Sequence, residues 1–162
     1  MLSSFYHKLT KINSLVAAIS CIILLFVTFS IFVDVILRYF FGSPSTWITE
    51  VSTYLFLYII FFGTPYALQQ GLHVKVTFLL DRFSTRKIRV LNLVTSILAT
   101  IFAMVLLWQT SIMTWTAFKE KWTSPTMLSV PYSWIYVAMV IGSFLLLLTF
   151  LCEAILSFKG KS

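Results

Sequence analysis

The sequence predicts an all-α integral membrane protein with four transmembrane helices. Three observations predict it: the composition, four long windows without charge, and the absence of any other backbone solution for such windows. Of 162 residues, 59% are hydrophobic and 10% are charged, with Phe alone occurring 16 times. An ordinary soluble domain carries roughly 25% charged residues, and one of this length has too little interior to hide so much apolar surface. Soluble enzymes, disordered chains and nucleic-acid-binding modules are excluded on this ground. The formal charge of +7 must therefore be placed relative to a membrane before it is assigned a meaning.

The stretches free of Lys, Arg, Asp and Glu contain 22 residues between Lys11 and Asp34, 24 between Glu50 and Lys75, 29 between Arg89 and Lys119, and 31 between Lys121 and Glu153. A helix needs about 20 apolar residues to cross the hydrocarbon core, so each window holds one span. The spans are placed near 13–37, 49–70, 88–117 and 132–156, in a single membrane domain covering 1–162. Lipid offers no partner to backbone N–H and C=O groups, and four segments are too few for a barrel, which leaves helices.

The first span is too long for the apolar part of a cleavable signal peptide, and Asp34 and Arg38 follow it where small cleavage residues would stand. It is read as a retained helix that also directs insertion. The distribution of Lys and Arg then sets orientation. Lys8, Lys11, Lys75, Arg82, Arg86, Lys87, Arg89, Lys159 and Lys161 lie on one side, nine bases against Arg38, Lys119 and Lys121 on the other. Both termini and the 71–89 loop are expected in the cytoplasm, with short outer loops at about 38–48 and 118–131. With Asp81 and Glu153 counted, the whole +7 falls on the inner side, facing anionic headgroups that attract basic juxtamembrane residues.

Within the 71–89 loop, Val76, Leu79, Leu80 and Phe83 share one helical face while Lys75, Arg82 and Arg86 turn to water. The segment 73–84 is expected to form a short amphipathic helix in the interface, against an ordinary polar loop as the alternative. The third span reads as helical from Arg86 to Trp122, about 55 Å at about 1.5 Å per residue. It must tilt or project beyond a core of about 30 Å. Trp108, Trp115 and Trp122 repeat every seven residues along it. They form either an aromatic belt with packing or a seam toward a partner.

Residues able to do chemistry are sparse. The sequence contains no Gly-rich phosphate loop, no Cys-x-x-Cys pair and no His-Glu-x-x-His motif. His7 and His73 have no neighbouring His or Cys to complete a metal site, and His73 is read as an interfacial hydrogen-bonding group. Cys21 and Cys152 sit in apolar runs and are read as inert buried thiols. No span carries an acid or base near its middle, which coupled carriers usually need. Gly63-Thr64-Pro65 can bend the second span, since Pro65 removes a helical donor. One bend is not the matched pair of broken helices of a carrier.

The outer end of the first hairpin is where charge gathers. Asp34 and Arg38 are four residues apart on one helix face; Glu50 follows twelve residues after Arg38, with Trp47 just before it. Charges at that depth are costly unless paired. Arg38 is expected to bridge Asp34, Glu50 or both and to clamp the two helices, with direct contact to a partner protein as the alternative.

These residues carry a resemblance. Asp34-Val35-Ile36-Leu37-Arg38-Tyr39 leads into Trp47-Ile48-Thr49-Glu50, then Phe62-Gly63-Thr64-Pro65-Tyr66-Ala67, then His73-Val74. The series resembles the small membrane subunit, DctQ-type, of the tripartite ATP-independent periplasmic (TRAP) transporters, whose pattern runs Asp-Val-x-x-Arg-Tyr, Trp-x-Glu-Glu, Phe-x-Gly-x-x-x-Ala, then His-Val or His-Ile. Motif detail covers roughly 30–85; length and the four spans extend the likeness over the chain. Thr49-Glu50 replaces the family's paired acids, Leu68-Gln69-Gln70 stands where a base often follows the Ala, and Thr77 stands where an acid is frequent.

The resemblance implies no enzyme and no cofactor. It implies a scaffold that braces a large multi-span subunit in the bacterial inner membrane. That large subunit carries sodium and an organic acid, which a periplasmic binding protein delivers to the outer face. Asp34, Arg38, Trp47, Glu50, Gly63, Ala67, His73, Trp108, Trp115 and Trp122 are the expected structural or interface residues. Two rivals differ in class. A small four-span glutathione-dependent enzyme would need an Arg-rich cofactor site at the inner helix ends. A stand-alone multidrug carrier would need a membrane-embedded acid deeper than Glu50.

Overall fold

The computed structural model describes residues 2–43, 45–70, 85–126 and 128–158, with side chains described for 6–43, 45–70, 94–126 and 128–155. Those residues form four helices: α1 Leu2–Phe41, α2 Thr46–Gln69, α3 Thr85–Lys119 and α4 Tyr132–Phe158. Each includes a stretch long and apolar enough to cross a membrane. The expected interfacial helix at 73–84, with His73, lies outside the described residues.

All four helices run at least to the predicted limits of their spans, give or take a turn, but α1 is much longer than its span. Its 40 residues extend about 60 Å at about 1.5 Å per residue. The uncharged window marks only the part that lipid must surround; a helix closes its own backbone bonds and continues through His7, Lys8 and Lys11, whose side chains are exposed. It stops at Gly42, which takes the left-handed φ of 60° that ends many helices and that glycine adopts without a Cβ penalty. The third helix ends at Lys119 rather than Trp122. Lys121 turns left-handed at φ 51°, and the Trp122 N–H returns to the Ala117 carbonyl at 3.0 Å.

The helices pack in the order α1, α2, α4, α3, with α1 also touching α4. Leu9, Leu145 and Cys152 cluster there, and the buried Asn13 Nδ2 donates to Thr149 Oγ1 at 3.0 Å. That contact places the two termini at the same end of the bundle. On the other flank of α4, Leu68 of α2, Ala103 of α3 and Leu146 form a second cluster. The most buried helix is α4. Its inward positions Ile135, Ala138, Leu145, Leu146, Thr149 and Cys152 follow the three- and four-residue spacing of a helix packed on both sides.

The backbones of α2 and α4 approach closely at Gly142. A Cβ on Gly142 would stand 2.4 Å from the Phe61 carbonyl oxygen. Pro65 lies inside α2, and its missing N–H is the one that would have bonded the carbonyl four residues earlier, that of Phe61. The backbone oxygen freed by Pro65 therefore faces the one α4 position that has no side chain. Ala138 and Gly142 form a small-x-x-x-small pair, the pattern by which membrane helices approach closely.

Candidate functional site: the hairpin ends away from the termini

At the end of the bundle opposite the termini, Asp34 is buried and Arg38 largely exposed, with side-chain exposures of 7% and 56%. Arg38 Nη2 donates to Asp34 Oδ2 at 3.0 Å within α1. The other carboxylate oxygen accepts the Ser45 backbone N–H at 2.8 Å. Ser45 is the N-cap of α2 and makes no side-chain capping bond, so Asp34 supplies the anion that a helix N-terminus favours. The α1–α2 connection is thus held by Asp34, and Arg38 neutralises it from the exposed side. Of the two partners expected for Arg38, Asp34 is the one it pairs with, four positions back within α1; the expected reach of Arg38 across to Glu50 is corrected, since among the described residues Glu50 is bound by hydroxyl groups instead.

Glu50 sits one turn into α2 and holds the α3–α4 loop. Its Oε1 accepts the Tyr54 hydroxyl at 2.9 Å, the Ser124 hydroxyl at 3.0 Å and the Thr126 hydroxyl. The Tyr54 hydroxyl oxygen also lies 2.7 Å from Ser124 Oγ. The loop is itself a small hairpin, with Thr123 and Pro131 bridged, the Ser124 N–H on the Val130 carbonyl and the Tyr132 N–H on that of Trp122. It contains Lys121 and Ser129 at positive φ, conformations that L-residues hold only when their surroundings require it. Thr46, Thr49, Glu50, Thr53, Pro125 and Thr126 line an open cavity of about 570 Å³ between α2 and this loop. Below it the seam continues in aromatic hydroxyls. Tyr58 donates to the Trp134 carbonyl at 2.7 Å, Tyr54 meets Tyr132 edge-on at 6.4 Å, and Tyr132 stacks on Tyr136 at 5.6 Å.

The structure brings Asp34 and Arg38 together; of the other expected residues, His73 lies outside those described and the rest do not join this pair. Trp47, Trp108 and Trp115 are exposed. Trp122 is not on the α3 stripe; it follows the helix in the loop, where its Nε1 donates to Glu120 Oε2 at 2.7 Å. Gly63 and Ala67 are half-buried, and a Cβ at Gly63 would meet nothing within 4 Å. The close-packing glycine is Gly142. Both cysteines are free, but only Cys152 is buried; Cys21 is exposed. Sequence reasoning missed Tyr54, Ser124 and Thr126. The Glu50-x-x-x-Tyr54-x-x-x-Tyr58 spacing, three polar groups on one face of a span, was the signal available for the first of them.

Such an arrangement defines a class: a multi-pass helical membrane protein whose polar groups staple its own loops at one end of the bundle. Among the described residues no three His, Cys, Asp or Glu side chains converge on a possible metal position. Comparison with known proteins gives the family. The family model described as "Tripartite ATP-independent periplasmic transporters, DctQ component" matches residues 27–160, and the chain belongs to that family. A Haemophilus influenzae protein named "Putative TRAP transporter small permease protein" is 35% identical over 83 residues, which are 51% of this chain and 49% of that protein. The matched region thus spans about half the length of each.

Proposed function

We propose that this chain is the small membrane subunit of a TRAP transporter, a non-catalytic brace for a large multi-span subunit that takes up an organic acid with sodium. A periplasmic binding protein delivers the substrate at the outer face. In this reading the chain lies in the bacterial inner membrane with both termini cytoplasmic, and the end bearing Asp34 and Glu50 is periplasmic. Family membership over residues 27–160 carries the proposal. The distribution of charge supports it: the acids and bases of the described spans lie toward their ends, as in Asp34, Arg38 and Glu50, and leave no mid-depth group for coupled transport.

The apolar surface supports a bracing role. Trp108 and Trp115, each 71% exposed, stand seven residues apart on α3, and α3 itself is an outer helix of the row. Gly63 and Ala67 on α2 offer a second shallow strip. Lipid alone can cover such faces, so association is the test. Coexpressed with the large subunit, the chain should copurify with it in mild detergent. In proteoliposomes, sodium-driven uptake should require both membrane subunits and the binding protein. Robust uptake by this chain alone would overturn the brace and favour a stand-alone carrier.

A further inference from the structure

We propose that α1 carries a binding groove for an anionic phospholipid near the termini end, with the lipid phosphate against His7 and Lys11 and the upper acyl chain along Ser14 and Ala18. His7, Lys11, Ser14 and Ala18 follow one another at four-, three- and four-residue intervals and therefore share one face of the helix. With Thr10 and Leu15 at its sides, this face forms a groove of about 470 Å³. The opposite face, with Leu9, Asn13 and Ala17, is buried, so the groove points away from the part of α1 that packs on the bundle.

The order of the side chains is what names the ligand. Along the helix toward the membrane centre come an imidazole and an ammonium, then a hydroxyl, then a small apolar residue. A phospholipid presents its groups in that order on entering the bilayer: phosphate, glycerol esters, methylenes. Lys11 and Ser14 are about 4.5 Å apart along the axis, and Ala18 lies about 6 Å further. The imidazole of His7 offers an N–H in either ionisation state, and Lys11 offers three donors and a charge. Ser14 and Ala18 are small beside Leu15, which leaves the depression that a chain can enter. Lys11 is also the last charge before the uncharged window of the first span, so the cationic end sits at headgroup depth, where a basic residue attracts anionic lipid. The charge favours phosphatidylglycerol over a zwitterionic lipid. The inference uses only the membrane-spanning character of α1, and neither the orientation nor the partner proposed above.

Native mass spectrometry of the full chain, released from nanodiscs containing equal phosphatidylglycerol and phosphatidylcholine, tests it. Phosphatidylglycerol should be retained preferentially. Lys11→Gln should reduce that retention about fivefold, the factor expected for one basic residue at a membrane surface, and adding His7→Ala, which removes the imidazole N–H, should reduce it further. Lys8→Gln removes an exposed charge that does not line the groove and should leave retention unchanged. Ala18→Phe keeps every charge, fills the groove and should also release the lipid. Equal retention of the two lipids would overturn the proposal, as would equal losses in Lys8→Gln and Lys11→Gln, which mark diffuse charge. Displacement of the lipid by inorganic phosphate would show an anion site without a lipid groove. Retention that vanishes once a copurifying subunit is bound would show that protein, not lipid, covers this face. Because lipid retention is read on the chain itself, failure of the subunit assembly proposed above leaves this result interpretable.

Discussion

Two glycines separate tight packing from open surface, and alanine at each gives opposite expectations. At Gly142 the added methyl would lie 2.4 Å from the Phe61 carbonyl oxygen, 2.6 Å from its Cβ and 2.8 Å from its carbonyl carbon. Two of these are backbone atoms of a helix interior, which cannot rotate away as a side-chain tip would, so α2 and α4 must separate. Overpacking of this kind costs about 1–3 kcal/mol, and the rigid obstacle places Gly142→Ala toward the upper end. The helix-propensity gain of alanine over glycine, about 1 kcal/mol, offsets only part of it. At Gly63 nothing lies within 4 Å, so Gly63→Ala keeps the propensity gain without a clash. At roughly 2–4 °C per kcal/mol for a chain of this size, Gly142→Ala should lower the midpoint of thermal unfolding by several degrees and Gly63→Ala should hold or raise it. Cys152 is a built-in reporter, being buried while Cys21 is exposed. In a Cys21→Ser background, the reaction of Cys152 with a thiol-reactive fluorophore on heating in detergent follows the opening of the bundle. A Gly142→Ala midpoint equal to the parent's, or an equal drop in Gly63→Ala, would refute the close approach. If Gly63→Ala leaves this midpoint intact yet weakens copurification of the large subunit, the α2 strip is an intersubunit contact.

The remaining predictions follow from the polar end of the bundle and from topology. Arg38→Ala removes a mostly exposed partner and should cost about 0.2–1 kcal/mol. Asp34→Ala leaves the Ser45 N–H and Arg38 without their acceptor and should cost about 1–3 kcal/mol; the same thermal assay ranks them, and a larger effect at Arg38 would contradict the geometry. Glu50→Ala should loosen the α3–α4 loop and speed tryptic cleavage after Lys121, with Glu50→Gln intermediate because its amide oxygen still accepts; unchanged cleavage in both variants would show that the loop holds itself. Single cysteines at the exposed positions Ser43 and Ser129 should react with impermeant reagent from outside intact cells, and those at Lys8 and Gln70 only after the inner face is opened. The reverse pattern would sink the orientation drawn from the nine inner bases.

Four membrane-length helices, their approximate ends and the gathering of charge at one hairpin were legible in the sequence. These follow from sums along the chain: twenty or more residues without charge demand a helix in lipid whatever surrounds it, and Asp34 with Arg38 at i and i+4 meet on any helix. Only the tertiary structure decided which face of each helix turns inward. In a soluble protein the apolar face would reveal it, but lipid is as apolar as a protein core, so all sides of a span read alike. That is why two cysteines in similar apolar runs proved one exposed and one buried, and why the close contact fell on Gly142 and not on the motif glycine Gly63. The partner of Glu50 was invisible for a related reason. Two charges nearby in sequence suggested Arg38, whereas besides Tyr54 one turn on the groups that reach the carboxylate are Ser124 and Thr126, 74 and 76 residues away, neutral hydroxyls whose suitability depends on where the α3–α4 loop comes to rest.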